Sequence, residues 1–341
     1  MNHENLRAWP LHTDDVQQIS NKKSSRNFRK RLVFMMKSKK FFVVNSFAEK
    51  PFGGNPAAVF TDAENLDTLT MQRIATQLNL VETVFMFPSA EGNADFQLRY
   101  FTPAEELPIA GHPTIAAILA YIQCHNIDLS TESVLHIKTN AGVKLIKITQ
   151  NLIGPMVMME QPPPEFYPVV TERNAVADLF GIPEDDLIPD LPIQPIDTGL
   201  GHLIVPLKSL EALLRAQRKI EPLRNFCAHI GIREAQLFTF ETDDSDKDLH
   251  TRNICPREGI EDPGCGVGNG ALGAYLLEHY YQGRTKIQLK AEQGHITNMP
   301  CAIEIDARKE NGRMNIFVGG NGKVMIEGVF YLESQKKGNI W

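Results

Sequence analysis

Apolar and polar positions divide this chain at about residue 40. Before that point it is polar, and basic over 22–40, with one apolar piece at 32–36 too short for a signal-peptide core. Residues 1–39 read as a disordered extension, with Met35 or Met36 as a candidate start. Glu4, Asp14 and Asp15 count against a transit peptide. Beyond the division the pattern turns globular. Residues 41–44 predict a buried strand, Gly53-Gly54-Asn55-Pro56 a tight turn, and 57–60 a second strand. Helical spacing marks 67–78, and strands follow at 81–87 and 96–101. Residues 134–139 and 143–150 read as a hairpin around Asn140-Ala141-Gly142. The proline-rich piece 161–168 reads as a linker. After it, 172–180 is a helix stopped by Gly181, 192–198 and 202–207 are strands, and 210–217 and 222–230 are helices. Strands return at 236–240, 249–254, 286–289, 302–305, 315–318 and 323–331. This alternation gives a mixed α/β class.

Two stretches organise the pattern. Residues 99–121, RYFTPAEELPIAGHPTIAAILAY, pass from a strand through an acidic turn, Glu105 and Glu106, to Gly111-His112-Pro113-Thr114, which opens a helix. Pro113 fits a first helical turn, where a missing N–H costs nothing. The helix over 115–122 has almost no polar face, which predicts enclosure on all sides. Its first-turn N–H groups would suit a substrate carboxylate or phosphate. Residues 252–276, RNICPREGIEDPGCGVGNGALGAYL, echo it and lead into a second buried helix over 268–281. Arg99 matches Arg252, Pro103 matches Pro256, and after a two-residue insertion Gly111 matches Gly266 and Ala116 matches Ala271. At the same distance before each arginine, Val84-Phe85-Met86-Phe87 falls on Leu237-Phe238-Thr239-Phe240. The echo predicts two similar halves, 40–160 and 161–333, each wrapping strands around a buried helix. The C-terminal strand is a candidate to complete the first, and the cleft between the halves is the expected site.

At 341 residues there is room for two full cores. A formal charge of -6, with no basic face beyond the N-terminal tail, argues against a nucleic-acid partner. Five scattered cysteines without zinc spacing point to a reducing, cytoplasmic setting and no metal. No apolar run is long enough to span a bilayer, so no membrane partner is expected.

Glu82 is the first candidate for chemistry, because a carboxylate inside Leu80-Val81-Glu82-Thr83-Val84-Phe85 breaks the apolar pattern. Burial would raise its pKa and let it act as base and then acid near neutrality. The plainer alternative is a strand end in solvent. On the constant-distance match its counterpart is Ala235, so one half alone would supply the proton-transfer group. His112 could bond a bound anion, or simply satisfy the first helical turn; its counterpart is Val267. Asp262, before Pro263, is either an ordinary turn residue or a carboxylate facing Glu82. Cys265, whose counterpart is Ala110, sits where a helix N-terminus would lower a thiol pKa, although a lone buried cysteine is usually packing. Gly266, Gly268 and Gly270 do not form a dinucleotide fingerprint.

In order along the chain, FAEKPFGGNPAAVF, LVETVFMF, RYFTPAEELPIAGHPTIAA, IEDPGCGVGNGALGAYL and AEQGHI…VGGNGKVMIEGVF resemble the PhzF phenazine-biosynthesis-like family over about residues 40–333. The resemblance implies the diaminopimelate-epimerase fold: two pseudo-symmetric domains, each a curved, mostly antiparallel sheet around a central helix, usually as a homodimer. It implies an isomerase without cofactor or metal, acting on a small carboxylate-bearing substrate. The family's well-understood enzyme isomerises trans-2,3-dihydro-3-hydroxyanthranilate with one glutamate. By motif that glutamate is Glu82, the GHxT histidine is His112 and the EDP aspartate is Asp262. Asn55, Gly111, Thr114, Cys265, Gly266, Val267, Gly268 and Asn269 would line the substrate. The family often has a serine where this chain has Val267, a departure that weighs against the phenazine substrate. Related epimerases use two cysteines, at positions that correspond to Ala110 and Cys265. Two rivals follow: an amino-acid epimerase using Glu82 and Cys265, and a non-catalytic binding protein on the same fold.

Overall fold

The computed structural model describes residues 36–89, 92–125, 127, 129 and 132–333. The extension expected over 1–39 falls, as far as residue 35, outside the described residues. Lys40–Gly328 form one compact unit. The first half runs β1 (Met36–Ser46), β2 (Asn55–Phe60), α1 (Thr68–Leu78), β3 (Glu82–Pro88), β4 (Phe96–Phe101), β5 (Glu106–Leu107), α2 (Gly111–His125), β6 (Ser133–Thr139), β7 (Gly142–Gln150) and β8 (Pro155–Glu160). The second runs β9 (Glu165–Phe166), α3 (Arg173–Phe180), β10 (Gln194–Asp197), β11 (Gly201–Pro206), α4 (Leu210–Arg215), α5 (Ile220–His229), β12 (Glu234–Thr239), β13 (Leu249–Cys255) and β14 (Ile260–Asp262). It continues through α6 (Gly266–His279), β15 (Lys286–Gln293), β16 (Cys301–Glu310) and β17 (Arg313–Gly320). β18 (Gly322–Glu333) returns beside β1.

Local chemistry sets several boundaries. Asp67 caps α1 by accepting from the Thr70 N–H at 2.7 Å. Gly181 stops α3 in the left-handed region, φ 63°, where a side chain would be strained. The two helices without a polar face are enclosed, as their composition requires. α2 packs on β2, β3, β8 and β17, and α6 on β10, β11, β12, β15, β16 and β17. Residues Ile115–Ala120 of α2 and Ala271–Leu277 of α6 are all buried, and both helices belong to one apolar core. A second apolar cluster lies between α3–α5 and the outer face of β11–β13.

Strand pairing repeats. β2–β3 are parallel, β3–β4 antiparallel, β4–β6 parallel, and β6–β7–β8 antiparallel. β11–β12, β12–β13, β13–β15 and β15–β16–β17 follow the same sequence of senses. β8 and β17 pair antiparallel and join the halves into one sheet.

The register corrects one expectation. In the first half Phe85 lies opposite Arg99, whereas in the second Leu237 lies opposite Arg252. The β12–β13 connection is one residue longer, so a match at constant distance from the arginines slips by one. A one-residue slip moves every side chain to the other face. The true counterpart of Glu82 is therefore Glu234, not Ala235. Each is the first residue of its strand, and the second half is not chemically blank.

The matched arginines do correspond. Arg99 holds Glu106 through Nε and Nη2, both at 2.7 Å, and Arg252 holds Glu261 the same way at 2.9 Å. Arg252 also donates to the Leu213 and Ala216 carbonyls at 2.7 and 2.8 Å. The Arg252 and Glu261 side chains are 4% and 3% exposed, against 21% and 23% for Arg99 and Glu106. Breaking a buried pair strands a charge and costs ~3–5 kcal/mol, whereas an exposed pair is worth ~1 kcal/mol or less. Arg252→Met is expected to lower the urea midpoint severely and Arg99→Met only slightly. Adding Glu261→Gln to Arg252→Met should recover much of the loss.

Candidate active site

The site forms where the starts of α2 and α6 meet the ends of β2, β3, β11 and β12. Asn55, fully buried at the start of β2, ties the halves together. Its Nδ2 donates to Asp262 Oδ1 at 2.8 Å and to the Gly264 carbonyl at 3.1 Å, and lies 3.3 Å from His112 Nδ1. Ser46 Oγ donates to the His112 carbonyl at 2.7 Å and fixes the first turn of α2. Phe47 packs against Gly264 and Gly266 from the same side.

Glu82 keeps 14% of its side-chain surface, and its Oε2 lies 3.6 Å from His112 Nδ1. Burial pushes the carboxyl up to about 8, and the nearby carboxyls of Asp262 and Glu234 push the same way. Burial drives His112 down to about 3, against a bond to the Pro56 backbone, so the imidazole beside Glu82 is neutral. Asp262 rises to about 6, chiefly by burial, while the Gly264 N–H and Asn55 amide pull against it. Glu82 thus sits among a neutral imidazole and further carboxyls, and keeps its proton at neutrality.

Cys265 caps α6, and its thiol accepts from the Gly268 N–H at 3.3 Å. The expected drop in its pKa does not occur. Burial and the charges of Asp262 and Glu234 outweigh the N–H groups of Gly268 and Val267 and hold the thiol well above its ordinary value. Gly268 leaves room for Gln236, because a Cβ there would sit 2.4 Å from Gln236 Oε1. Gly111 faces open space, and Val267 is half-buried, its carbonyl accepting from Thr198 Oγ1 at 3.2 Å. Thr114 points inward, donating to the Ala110 carbonyl and accepting from Tyr100 Oη, both at 2.7 Å. Asn269 Nδ2 donates to the Cys265 carbonyl at 2.9 Å and Gln293 Oε1 at 2.8 Å. Among the described residues, Asn55 Oδ1, His112 Nε2 and Asn269 Oδ1 are buried polar atoms without a protein partner.

Two residues escaped the sequence reading, His202 and Glu234. His202 is fully buried, and its Nε2 lies 3.1 Å from Glu234 Oε2 and 3.6 Å from Cys265 Sγ. The pattern held a signal for both: Gly199-Leu200-Gly201 turns into β11 as Gly53-Gly54 turns into β2, and Glu234 opens its strand as Glu82 does. One donor atom each from His202, Glu234 and Cys265 fall within 4.8 Å of one another, the one such set among the described residues. Two lone pairs at 3.1 Å need a proton or a cation between them, and the positive end of α6 weighs against a cation.

The family model for phenazine biosynthesis-like proteins, PhzC-PhzF, matches residues 44–328. This chain belongs to that family. An uncharacterised isomerase of Clostridium acetobutylicum is 32% identical over 299 residues, covering 86% of this chain and 98% of the relative. The uncharacterised isomerase YfhB of Bacillus subtilis is 33% identical over 287 residues, 84% of this chain and 96% of its own. The crystal structure of a Bacillus anthracis phenazine biosynthesis protein of the PhzF family superposes with a TM-score of 0.79 at 28% identity, covering 86% of this chain and 99% of that one. The chain is an enzyme of this isomerase family, with the mixed α/β fold that the resemblance implied. Among the described residues no helix is long and apolar enough to cross a membrane.

The raised Glu82 pKa has a sign in stability. The folded state holds this proton more tightly than the unfolded chain does. Its contribution is fully present below the ordinary value of 4.5 and is lost as pH rises through about 8. Glu82→Gln cannot ionise and is spared that loss. Its unfolding free energy, read from urea melts, should exceed the wild type's by a margin that widens from pH 5 to pH 9, reaching on the order of 4 kcal/mol. Parallel pH curves for the two proteins would show that Glu82 titrates as an exposed carboxylate.

Proposed function

We propose that this enzyme isomerises a small carboxylate-bearing substrate by moving one proton, with Glu82 as the carrier. The observation that carries the reading is a carboxyl open to the site whose pKa lies at about 8, close to the operating range of a group that must both take and return a proton. The ionised Glu82 removes a proton from a carbon made acidic by neighbouring unsaturation or a carboxyl group. It then returns a proton to a second carbon of the same substrate, and while the carboxyl holds that proton it trades it with solvent. The substrate carboxylate would sit at the first turns of α2 and α6, near Gly111 and Gly266–Asn269. The unpartnered atoms of His112, Asn55 and Asn269 offer bonds to its other polar groups. Asp262, held by Asn55 and the Gly264 N–H, would face a substrate amine. His112, neutral beside Glu82, would position it without charging it.

Deuterium incorporation from heavy water into a panel of small amino and hydroxy carboxylates, dihydrohydroxyanthranilate included, tests this. Wild type should label at least one compound. Glu82→Gln should lower that rate by about 10²-fold or more while leaving binding within a few-fold. Because the ionised form abstracts the proton, the exchange rate should rise about tenfold per pH unit below about 8 and level off above it. Full labelling by Glu82→Gln would remove Glu82 from the mechanism.

A further inference from the structure

Three side chains of the second half bring metal-binding atoms to one point. His202 on β11, Glu234 on β12 and Cys265 at the start of α6 each offer one donor atom, and the three atoms fall within 4.8 Å of one another. His202 Nε2 lies 3.1 Å from Glu234 Oε2 and 3.6 Å from Cys265 Sγ. Zinc holds nitrogen and oxygen at about 2.1 Å and sulfur at about 2.3 Å, so a tetrahedral ion would set these two edges at about 3.4 Å and about 3.6 Å. The outer contacts are also those of metal ligands. His202 Nδ1 lies 2.7 Å from the Leu200 carbonyl, which can only accept, so Nδ1 carries a hydrogen and Nε2 is the atom left for a metal. Cys255 and Asn253 bond to the Glu234 carboxyl. The Gly268 N–H donates to Cys265 Sγ at 3.3 Å, a bond that strengthens when the sulfur is a thiolate.

We propose that His202, Glu234 and Cys265 form a binding site for a divalent cation of the zinc class. A thiolate, an imidazole and a carboxylate at tetrahedral spacing suit zinc, whereas magnesium and calcium take more ligands and prefer oxygen. Three protein ligands leave a fourth position for water or for an oxygen of a bound anion. The positive start of α6 weighs against a lone cation. The thiolate and the Glu234 carboxylate together cancel the charge of a dication, and the Gly268 N–H steadies the thiolate. The surroundings are acidic as well: Glu234 pushes the carboxyls of Glu82 and Asp262 up, and a dication bound to Glu234 removes that push. Binding is an exchange of metal for protons. The Cys265 S–H bond breaks, a metal–sulfur bond forms, and the proton passes to solvent, as does a proton held between Nε2 and Oε2. Glu234 and Cys265 lie 32 and 63 residues beyond His202, so their spacing along the chain carried no sign of a metal site.

The test needs no substrate. Chelator-treated, full-length protein is titrated with cobalt(II), a spectroscopic stand-in for zinc, under reducing conditions. One equivalent should produce the visible bands of a tetrahedral complex and a thiolate-to-cobalt charge-transfer band in the near ultraviolet, and zinc added afterwards should remove both. Cys265→Ser should lose the charge-transfer band. Cys227→Ser, a change at another buried cysteine, should keep it. His202→Gln and Glu234→Gln each remove one ligand and should weaken zinc binding, read by competition with a chromophoric chelator, by about 100-fold or more, at or beyond the loss that outer-shell changes cause. Either variant serves where the other does not fold. Absence of a charge-transfer band in the wild type overturns the proposal without any variant. So does a band that survives Cys265→Ser, or zinc affinity unchanged in both His202→Gln and Glu234→Gln. The assay involves no Glu82 chemistry. A failure here leaves the single-glutamate reading standing, and loss of Glu82-dependent labelling leaves this result intact.

Discussion

Two helices with no polar face govern this structure. Neither α2 nor α6 can lie on a surface, because every side of each would carry apolar area into water. A flat sheet covers one face of a helix only. Each helix must therefore be wrapped, and the strands of each half do this with the same succession of parallel and antiparallel pairs. The shared β8–β17 edge then makes one sheet serve both helices. Enclosure also decides where the polar ends go. The first turn of each helix is the place where backbone N–H groups emerge from an otherwise apolar cylinder, and the two first turns meet at Asn55.

The electrostatics of the site follow from that meeting. Three carboxyls, Glu82, Asp262 and Glu234, are gathered in a place largely closed to water, and they are treated differently. Glu82 has no bonding partner strong enough to keep it charged and holds its proton. Asp262 is partly held by the Gly264 N–H and Asn55. Glu234 has an imidazole and stays ionised. Neighbouring groups whose environments push their pKa values apart can divide the work of base, anchor and counter-ion. Both helix starts add a fixed positive potential to the place where these carboxyls meet.

Much of this was legible along the chain. The strand at 96–101 and the caps of α1 and α3 follow from alternation, Asp67 and Gly181, because each depends on a few adjacent residues. The duplication was legible because Arg99 and Arg252 solve the same local problem, holding the acidic residue of the next strand. Glu82 stood out because a carboxylate interrupts an apolar strand. Glu234 did not, because Glu234-Ala235-Gln236 mixes polar and apolar residues and no apolar run frames the carboxylate. His202 sits in an apolar strand, yet a lone histidine there carries no sign of its partner 32 residues away.

The sequence by itself determined that two enclosed helices exist, that the chain repeats its architecture, and that one carboxylate lies out of pattern. These are consequences of side-chain chemistry read over a few turns or one strand. Only the tertiary structure decided which residue of the second half answers Glu82, because one extra residue in a connection changes register and register has a period of two. It also decided the charge states. Whether the helix end lowers the Cys265 thiol or burial raises it depends on every carboxyl brought within reach, and those carboxyls come from β12 and β14, strands that only folding assembles beside α6.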